Sequence, residues 1–177
     1  GTTVDRGGAS NDPRVPNFHE DAALKGWANV VDKVHGKGGL IAPQIWHMGM
    51  MRKPGTGPDP DAMSDGPSGR THTGKQVQPE PTKSEVADMI AAYAKAAGES
   101  KRLGFDCVEI HGAHGYLIHQ FLSPVTNQRE DGYGGSRENR MRLALEITRA
   151  VREAWPDDKP LFYRLSAVDG QGGEWGK

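Results

Sequence analysis

Residue types suited to acid–base and hydrogen-bond chemistry crowd into one stretch, EIHGAHGYLIHQFLSP at residues 109–124. His111 and His114 lie three apart with Gly112 and Gly115 beside them. The glycines let the chain turn sharply, so both imidazoles can enter one cleft. Two imidazole N–H donors aimed at one oxygen polarise a carbonyl or hold a phenolate. Tyr116 adds a phenol able to deliver a proton. Two other readings stay open. The pair can bind a metal with His119 and Glu109, although Glu109 shares a strand face with His111 while His119 falls on the following helix. The histidines can also simply cap the ends of a strand and a helix.

Other positions invite the same kind of question. Gln44 ends a short apolar run, and its carboxamide offers a donor and an acceptor to an imide edge such as a flavin pyrimidine ring. For a lone Gln, a buried side chain bonded to backbone is the commoner case. Arg164 sits inside LFYRL, where an unpaired guanidinium is costly, so it needs a carboxylate or a bound anion. A reduced flavin, negative around N1 and O2, supplies such charge, and so does a structural salt bridge. NQREDGYGGSRENR, residues 127–140, reads as scaffold. Arg129 and Asp131 brace a loop there, Ser136 caps the next helix, and Glu138 lies near that helix's positive end.

Periodicity supplies the elements that must position these residues. Ala23, Leu24, Trp27, Val30, Val31 and Val34 follow helical spacing between Glu20 and His35, and Gly36, Gly38 and Gly39 end that helix. Leu40–Trp46 reads as a buried strand, with Pro43 near its end or at a bulge. Residues 47–81 form a loop of a length that is usually functional or mobile. Thr82 and Glu85 make a capping box before a helix striped by Val86, Met89, Ile90, Tyr93, Ala94 and Ala97. Phe105–His111 is the next strand, and Tyr116–Leu122 gives one or two helical turns. Ser136 starts a helix whose apolar face is Met141, Ala144, Leu145, Thr148, Val151 and Trp155, and Leu161–Leu165 is a strand.

The alternation means parallel β/α units with helices covering a sheet. No G-x-G-x-x-G follows a strand, which counts against a dinucleotide-type doubly wound sheet. Gln44, His111 and Arg164 fall at C-terminal strand ends, where a (β/α)8 TIM barrel builds its active site. Such a barrel needs about 250 residues and eight strands. With three strands legible, the chain reads as a single partial TIM-barrel domain of the α/β class. Its parts are a loop over 1–18, β/α units over 19–165 and the start of a loop over 166–177.

Composition closes off other classes. There are 22 Lys and Arg against 23 Asp and Glu, which leaves no broad basic field for nucleic acid. No stretch approaches the roughly 20 apolar residues of a membrane helix, and the opening residues do not read as a signal peptide. Cys107 is the only cysteine, so no disulfide framework or cysteine-ligated cluster forms within this chain, and a reducing, cytoplasmic setting fits best. Counting glycine as apolar and leaving out tyrosine gives about 46% apolar residues, enough for a core.

HGAHGYLIHQFLSP, followed by N-x-R-x-D-x-Y-G-G-S-x-E-N-R from Asn127 to Arg140, resembles the signature of the Old Yellow Enzyme family of FMN-dependent ene-reductases. GGLIAPQIWHMG resembles that family's third-strand motif and LFYRLSA its fifth, and the likeness runs from about Gly26 to Ala167. The resemblance implies a (β/α)8 barrel with FMN at its C-terminal mouth and about strands 3–5 in this chain. His111 and His114 would bind the oxygen of the substrate's electron-withdrawing group, and Tyr116 would protonate the α-carbon. Gln44 and Arg164 would meet the flavin pyrimidine edge, and Trp46 would line the substrate pocket. NADH or NADPH would reduce FMN, which would then reduce an α,β-unsaturated carbonyl. The family is often dimeric or tetrameric, which implies a homo-oligomer. No residue is expected to ligate a metal.

The same resemblance places the first two strands, the last three and the flavin phosphate loops outside this chain, so these 177 residues alone are expected to bind FMN weakly or not at all. Where the third-strand motif commonly runs W-H-x-G-R, this chain has Met50 in place of the Arg, with Arg52 as the nearest substitute. A larger relative of the dienoyl-CoA reductase or trimethylamine dehydrogenase sort, with an iron–sulfur cluster after the barrel, is the alternative enzyme. A metal-binding or structural α/β fragment is the alternative without catalysis.

Overall fold

The computed structural model describes residues 1–71 and 73–168. Its elements are β1 (Thr2–Thr3), α1 (Asp21–His35), β2 (Gln44–Trp46), a 3₁₀ turn (Gly49–Met51), α2 (Lys83–Arg102), β3 (Val108–Gly112), α3 (Leu117–Leu122), α4 (Arg137–Ala154) and β4 (Leu161–Leu165). The strands pair in parallel in the order β1-β2-β3-β4. A strand order that follows chain order without reversing is the winding of a barrel and has no doubly wound switch point. The fold is therefore a parallel α/β part of a barrel.

One strand escaped the sequence reading, which left residues 1–18 as loop. Thr2–Thr3 pairs with Ile45–Trp46, so the strand preceding β2 is represented here. Two residues are too few to show periodicity, and only the sheet reveals them. The other strands are shorter or displaced. β2 begins at Gln44 because Pro43 has no N–H, although the carbonyls of Ile41 and Pro43 still accept from Asp106 and Glu109. The loop expected over 166–177 lies outside the described residues beyond Val168.

Local chemistry sets the helix ends. Thr82 and Glu85 form the full capping box of α2, and Ser136 accepts from the Asn139 N–H to cap α4. α2 buries Val86, Met89, Tyr93, Ala96 and Ala97 against the sheet and α4. α4 differs from its expected face. Leu143, Ala144, Ile147 and Val151 are buried, whereas Met141 and Leu145 stay exposed along a groove shared with Tyr163 and Leu165. That groove runs along β4, the sheet's open edge. Among the described residues no helix is long and apolar enough to cross a membrane.

Alternation divides the sheet's two faces. Ile45, Ile110 and Tyr163 pack into the core with the helices. Register puts Gln44 beside Glu109 and Phe162, and puts Thr3 beside Trp46 and His111 beside Arg164, all on the opposite face. This second face is the inside of the barrel, and the candidate site is built there.

Candidate active site

His111 is the fourth residue of β3, and the strand direction delivers it to the sheet's C-terminal end. The chain then turns through His114 and Gly115, whose φ angles are +60° and +77°. Left-handed backbone is ordinary for glycine and strained for histidine, and such strain concentrates at functional sites. It is held by a hydrogen bond, since the His114 N–H donates to Ser166 Oγ at 3.0 Å just beyond β4. Tyr116 is the N-cap residue of α3.

These turns gather four rings. Centroids of His111 and His114 lie 5.0 Å apart, His111 and Tyr116 5.3 Å, and His114 and Tyr116 6.4 Å. Trp46 stands 4.7 Å from Tyr116 and 6.5 Å from His111. His111 and Trp46 are buried, Tyr116 is half-buried and His114 is exposed. The cluster is thus a walled corner open on the His114 side.

The proton positions on His111 follow from its bonds. The Ala113 N–H donates to Nδ1 at 3.2 Å, so in the neutral ring Nε2 carries the proton. Burial, helped by the nearby charges of His114 and Arg164 and opposed by Glu109, pushes its pKa down to about 4. His111 is therefore a neutral N–H donor at physiological pH. Tyr116's ring packs on those of Trp46 and His111, which fixes where its phenol stands.

Gln44 and Arg164 share the inner face with this cluster but stand apart from each other. Gln44 donates to Glu109, which orients its carboxamide. Arg164 departs from the sequence expectation. It is exposed, and no ion pair holds it among the described residues, because β4 is an edge strand and its inner face is uncovered. No group of three or more His, Cys, Asp and Glu residues able to hold a metal gathers among the described residues.

The loop after β2 is packed, with its own buried network. His47 is fully buried and donates from Nε2 to Asp65 at 2.8 Å, while its Nδ1 accepts the Gly49 N–H. Arg6 grips the same carboxylate through two bonds of 2.7 and 2.9 Å. Burial opposes ionisation of Asp65, yet these donors hold its carboxyl well below the usual carboxylate range. Gln120 on α3 ties this loop to the histidine turn, accepting from the Met50 N–H and donating to the Gly115 carbonyl. Gly49, with φ +66°, has no room for a Cβ beside the Gln120 carboxamide. Arg52 does not substitute for the missing motif arginine. It is buried and donates to the carbonyls of Thr56, Asp59 and Ala62 inside its own loop.

Arg129 braces the other side as expected. Its guanidinium pairs with Asp131 through bonds of 2.8 and 2.9 Å and also donates to the carbonyls of Pro67 and Pro81. Ser166, Gln120 and Asp65 are the contributors that sequence reasoning missed. Ser166 lay within the quoted LFYRLSA run, but nothing in its neighbours pointed to His114.

Known proteins resemble this chain in sequence and in fold. The model of the NADH:flavin oxidoreductase / NADH oxidase family matches residues 2–175. An NADPH dehydrogenase of Clostridium acetobutylicum is 45% identical over 150 residues, which are 84% of this chain and 43% of that protein. A flavin oxidoreductase of Emericella nidulans is 44% identical over 153 residues, covering 82% of this chain and 39% of its own length. Morphinone reductase solved in complex with tetrahydroNAD superposes with a TM-score of 0.82 at 33% identity, covering 99% of this chain and 52% of that one. The old yellow enzyme homologue from Zymomonas mobilis gives 0.77 at 34% identity, covering 93% and 48%. The chain spans about half the length of these relatives or less. Sequence and fold together show that the chain belongs to the NADH:flavin oxidoreductase / NADH oxidase family, the family of Old Yellow Enzyme.

Proposed function

We propose that this chain supplies the acceptor-binding part of an FMN-dependent NAD(P)H oxidoreductase that reduces activated C=C bonds, such as those of α,β-unsaturated carbonyls. The observation that carries this reading is the convergence of His111, His114, Tyr116 and Trp46 at the C-terminal end of parallel strands. FMN, once reduced by NADH or NADPH, supplies the hydride that the β-carbon receives.

This chain's residues act around that transfer. His111 Nε2–H and the His114 imidazole donate to the acceptor's electron-withdrawing oxygen. Both bonds strengthen as negative charge gathers on that oxygen, so they favour the transition state over the ground state. A neutral His111 suits this role, since it polarises the oxygen while keeping its proton. Tyr116 holds a phenolic proton for the α-carbon, and Trp46 walls the pocket. Gln44, whose carboxamide carries both a donor and an acceptor and is oriented by Glu109, fits an imide edge. Arg164, a cation without an acidic partner among the described residues, fits the negative N1–O2 side of reduced flavin. Closure of the whole barrel completes the FMN site, so the isolated chain holds FMN weakly. The lone Cys107, its thiol pushed up by burial, is consistent with a reducing, cytoplasmic setting.

The test is a visible absorbance spectrum of the complete-barrel protein purified without added cofactor, followed by titration with phenol. The expected result is a flavin band at about 450 nm and a long-wavelength charge-transfer band that grows with phenol. A protein that stays colourless after FMN is added overturns the reading.

A further inference from the structure

A cavity of about 220 Å³ opens beside His114, between the loop after β2 and the turn after β3. Pockets that enclose a whole small molecule run to about 300–1,000 Å³. At this size it has room for one arm of a ligand and not for a whole one. Met50, Met51, Pro67 and Val168 give it apolar walls, and Arg70 lies at its border. Among the described residues no carboxylate lines it.

Arg70 is exposed and anchored by its backbone, which bridges to Gln76. Its guanidinium spends one donor on the Gly74 carbonyl at 3.3 Å and has no acidic partner among the described residues. Most of its five N–H donors are free. A cation with free donors at the border of an apolar slot selects a ligand arm with an apolar stem and an anionic end. Met50 contributes here directly. It stands where the family motif carries arginine, so its side chain lines the slot with thioether and leaves Arg70 as the cation of the lining beside the histidines.

We infer that this cavity is a subsite for a carboxylate-bearing arm of the acceptor, with Met50, Met51 and Pro67 against the stem and Arg70 on the carboxylate. The inference rests on the proposed reading of His111 and His114 as the holders of the acceptor oxygen. His114 faces both that site and the cavity, so a ligand oxygen on the pair has the slot within reach of its substituent.

The probes are phenol, 3-(3-hydroxyphenyl)propanoate and the methyl ester of that acid, each titrated into the FMN-loaded complete protein and followed by the charge-transfer band. The carboxylate is expected to bind about tenfold tighter than its ester, as one charge-assisted contact near solvent allows. In Arg70→Gln that ratio is expected to fall to about one, with partial recovery in Arg70→Lys. A wild-type ratio of one overturns the subsite and leaves the histidine reading standing. A ratio unchanged in Arg70→Gln, together with a raised KM for NADPH, assigns the cation to the dinucleotide's phosphates and also overturns it. Absence of a charge-transfer band with phenol itself overturns the histidine reading and the subsite with it.

Discussion

The residues proposed to hold the acceptor and those proposed to hold the flavin lie on one face of one sheet, yet they are built differently. His111, His114 and Tyr116 come from one strand end and the turn after it, and each joint is braced within this chain. Ala113 donates to His111, His114 donates to Ser166, and Gln120 clamps the turn to the loop after β2. Gln44 and Arg164 sit on β2 and β4 with β3 between them, and Arg164 lies exposed on the edge. Geometry set by turn chemistry is finished locally, whereas geometry spread around a barrel needs the remaining strands.

Removing a member of the local cluster should have the largest effect. In the complete FMN-loaded protein, His111→Ala or His114→Ala is expected to lower kcat by about 10²- to 10³-fold, the scale of losing one donor to a developing oxyanion. Either change should also erase the phenol charge-transfer band while FMN stays bound. Arg164→Met should do the reverse, with FMN lost on dilution and the phenol band persisting in molecules that keep the flavin. If both substitutions gave the same pattern, the division between the two halves would fail.

The next effect concerns what holds the loop beside the cluster. Asp65→Asn removes the carboxylate that Arg6 grips and weakens the bond to His47, two groups largely withdrawn from water. A loss of about 2–3 kcal/mol is expected, somewhat less than for a fully buried pair because Arg6 keeps some exposure. Asp12→Asn is the contrast. Its partner Arg14 is 88% exposed, so denaturant midpoints should show no change. Equal midpoints for the two variants would mean that the Arg6–Asp65–His47 network does not anchor the loop.

How much of this was legible depended on sequence distance. The capping box of α2, the Ser136 cap, the Arg129–Asp131 brace and the His111–Gly112–Ala113–His114 turn are written within a few residues each, and local physics suffices for them. Ser166 and His114 are 52 positions apart, and Gln120 and Met50 are 70 apart, so no local pattern links them. Asp65 looked like one acid among several in a polar loop, and only the fold buries it. The face of α4 was misread because its exposed Met141 and Leu145 are as apolar as its buried residues. Sequence cannot distinguish a stripe facing the core from one lining the open edge of the sheet.

The protonation of His111 offers a smaller and more local test. Its pKa is lowered to about 4, below the ordinary value of about 6.5, so the unfolded chain takes up a proton before the folded one does. Stability is therefore expected to fall as pH drops from about 6.5 to 4 and to show no contribution from this residue above that window. The imidazole Cε1–H resonance followed by NMR should inflect near the lower value. Phenol binding should show no break near neutral pH from this ring. An inflection at the ordinary histidine value would mean that the corner is wet and that His111 donates as a cation.

The smallest effect expected is that of Ser166→Ala. The His114 backbone N–H would lose its acceptor, but His114 is exposed, so water can replace the hydroxyl and the cost should stay near 1 kcal/mol or below. What changes is the tolerance of the turn. A histidine at φ +60° has nearby alternatives of lower backbone energy, and without Ser166 its imidazole should visit orientations that miss the acceptor. Acceptor KM should rise by roughly threefold, with kcat for the correctly bound fraction little changed. Ser166→Thr, which keeps the hydroxyl, should restore it. If Ser166→Ala leaves KM unchanged, then Gly115 and Gln120 hold the turn without help from β4. The acceptor half would then be more self-contained than the hydrogen bonds alone imply.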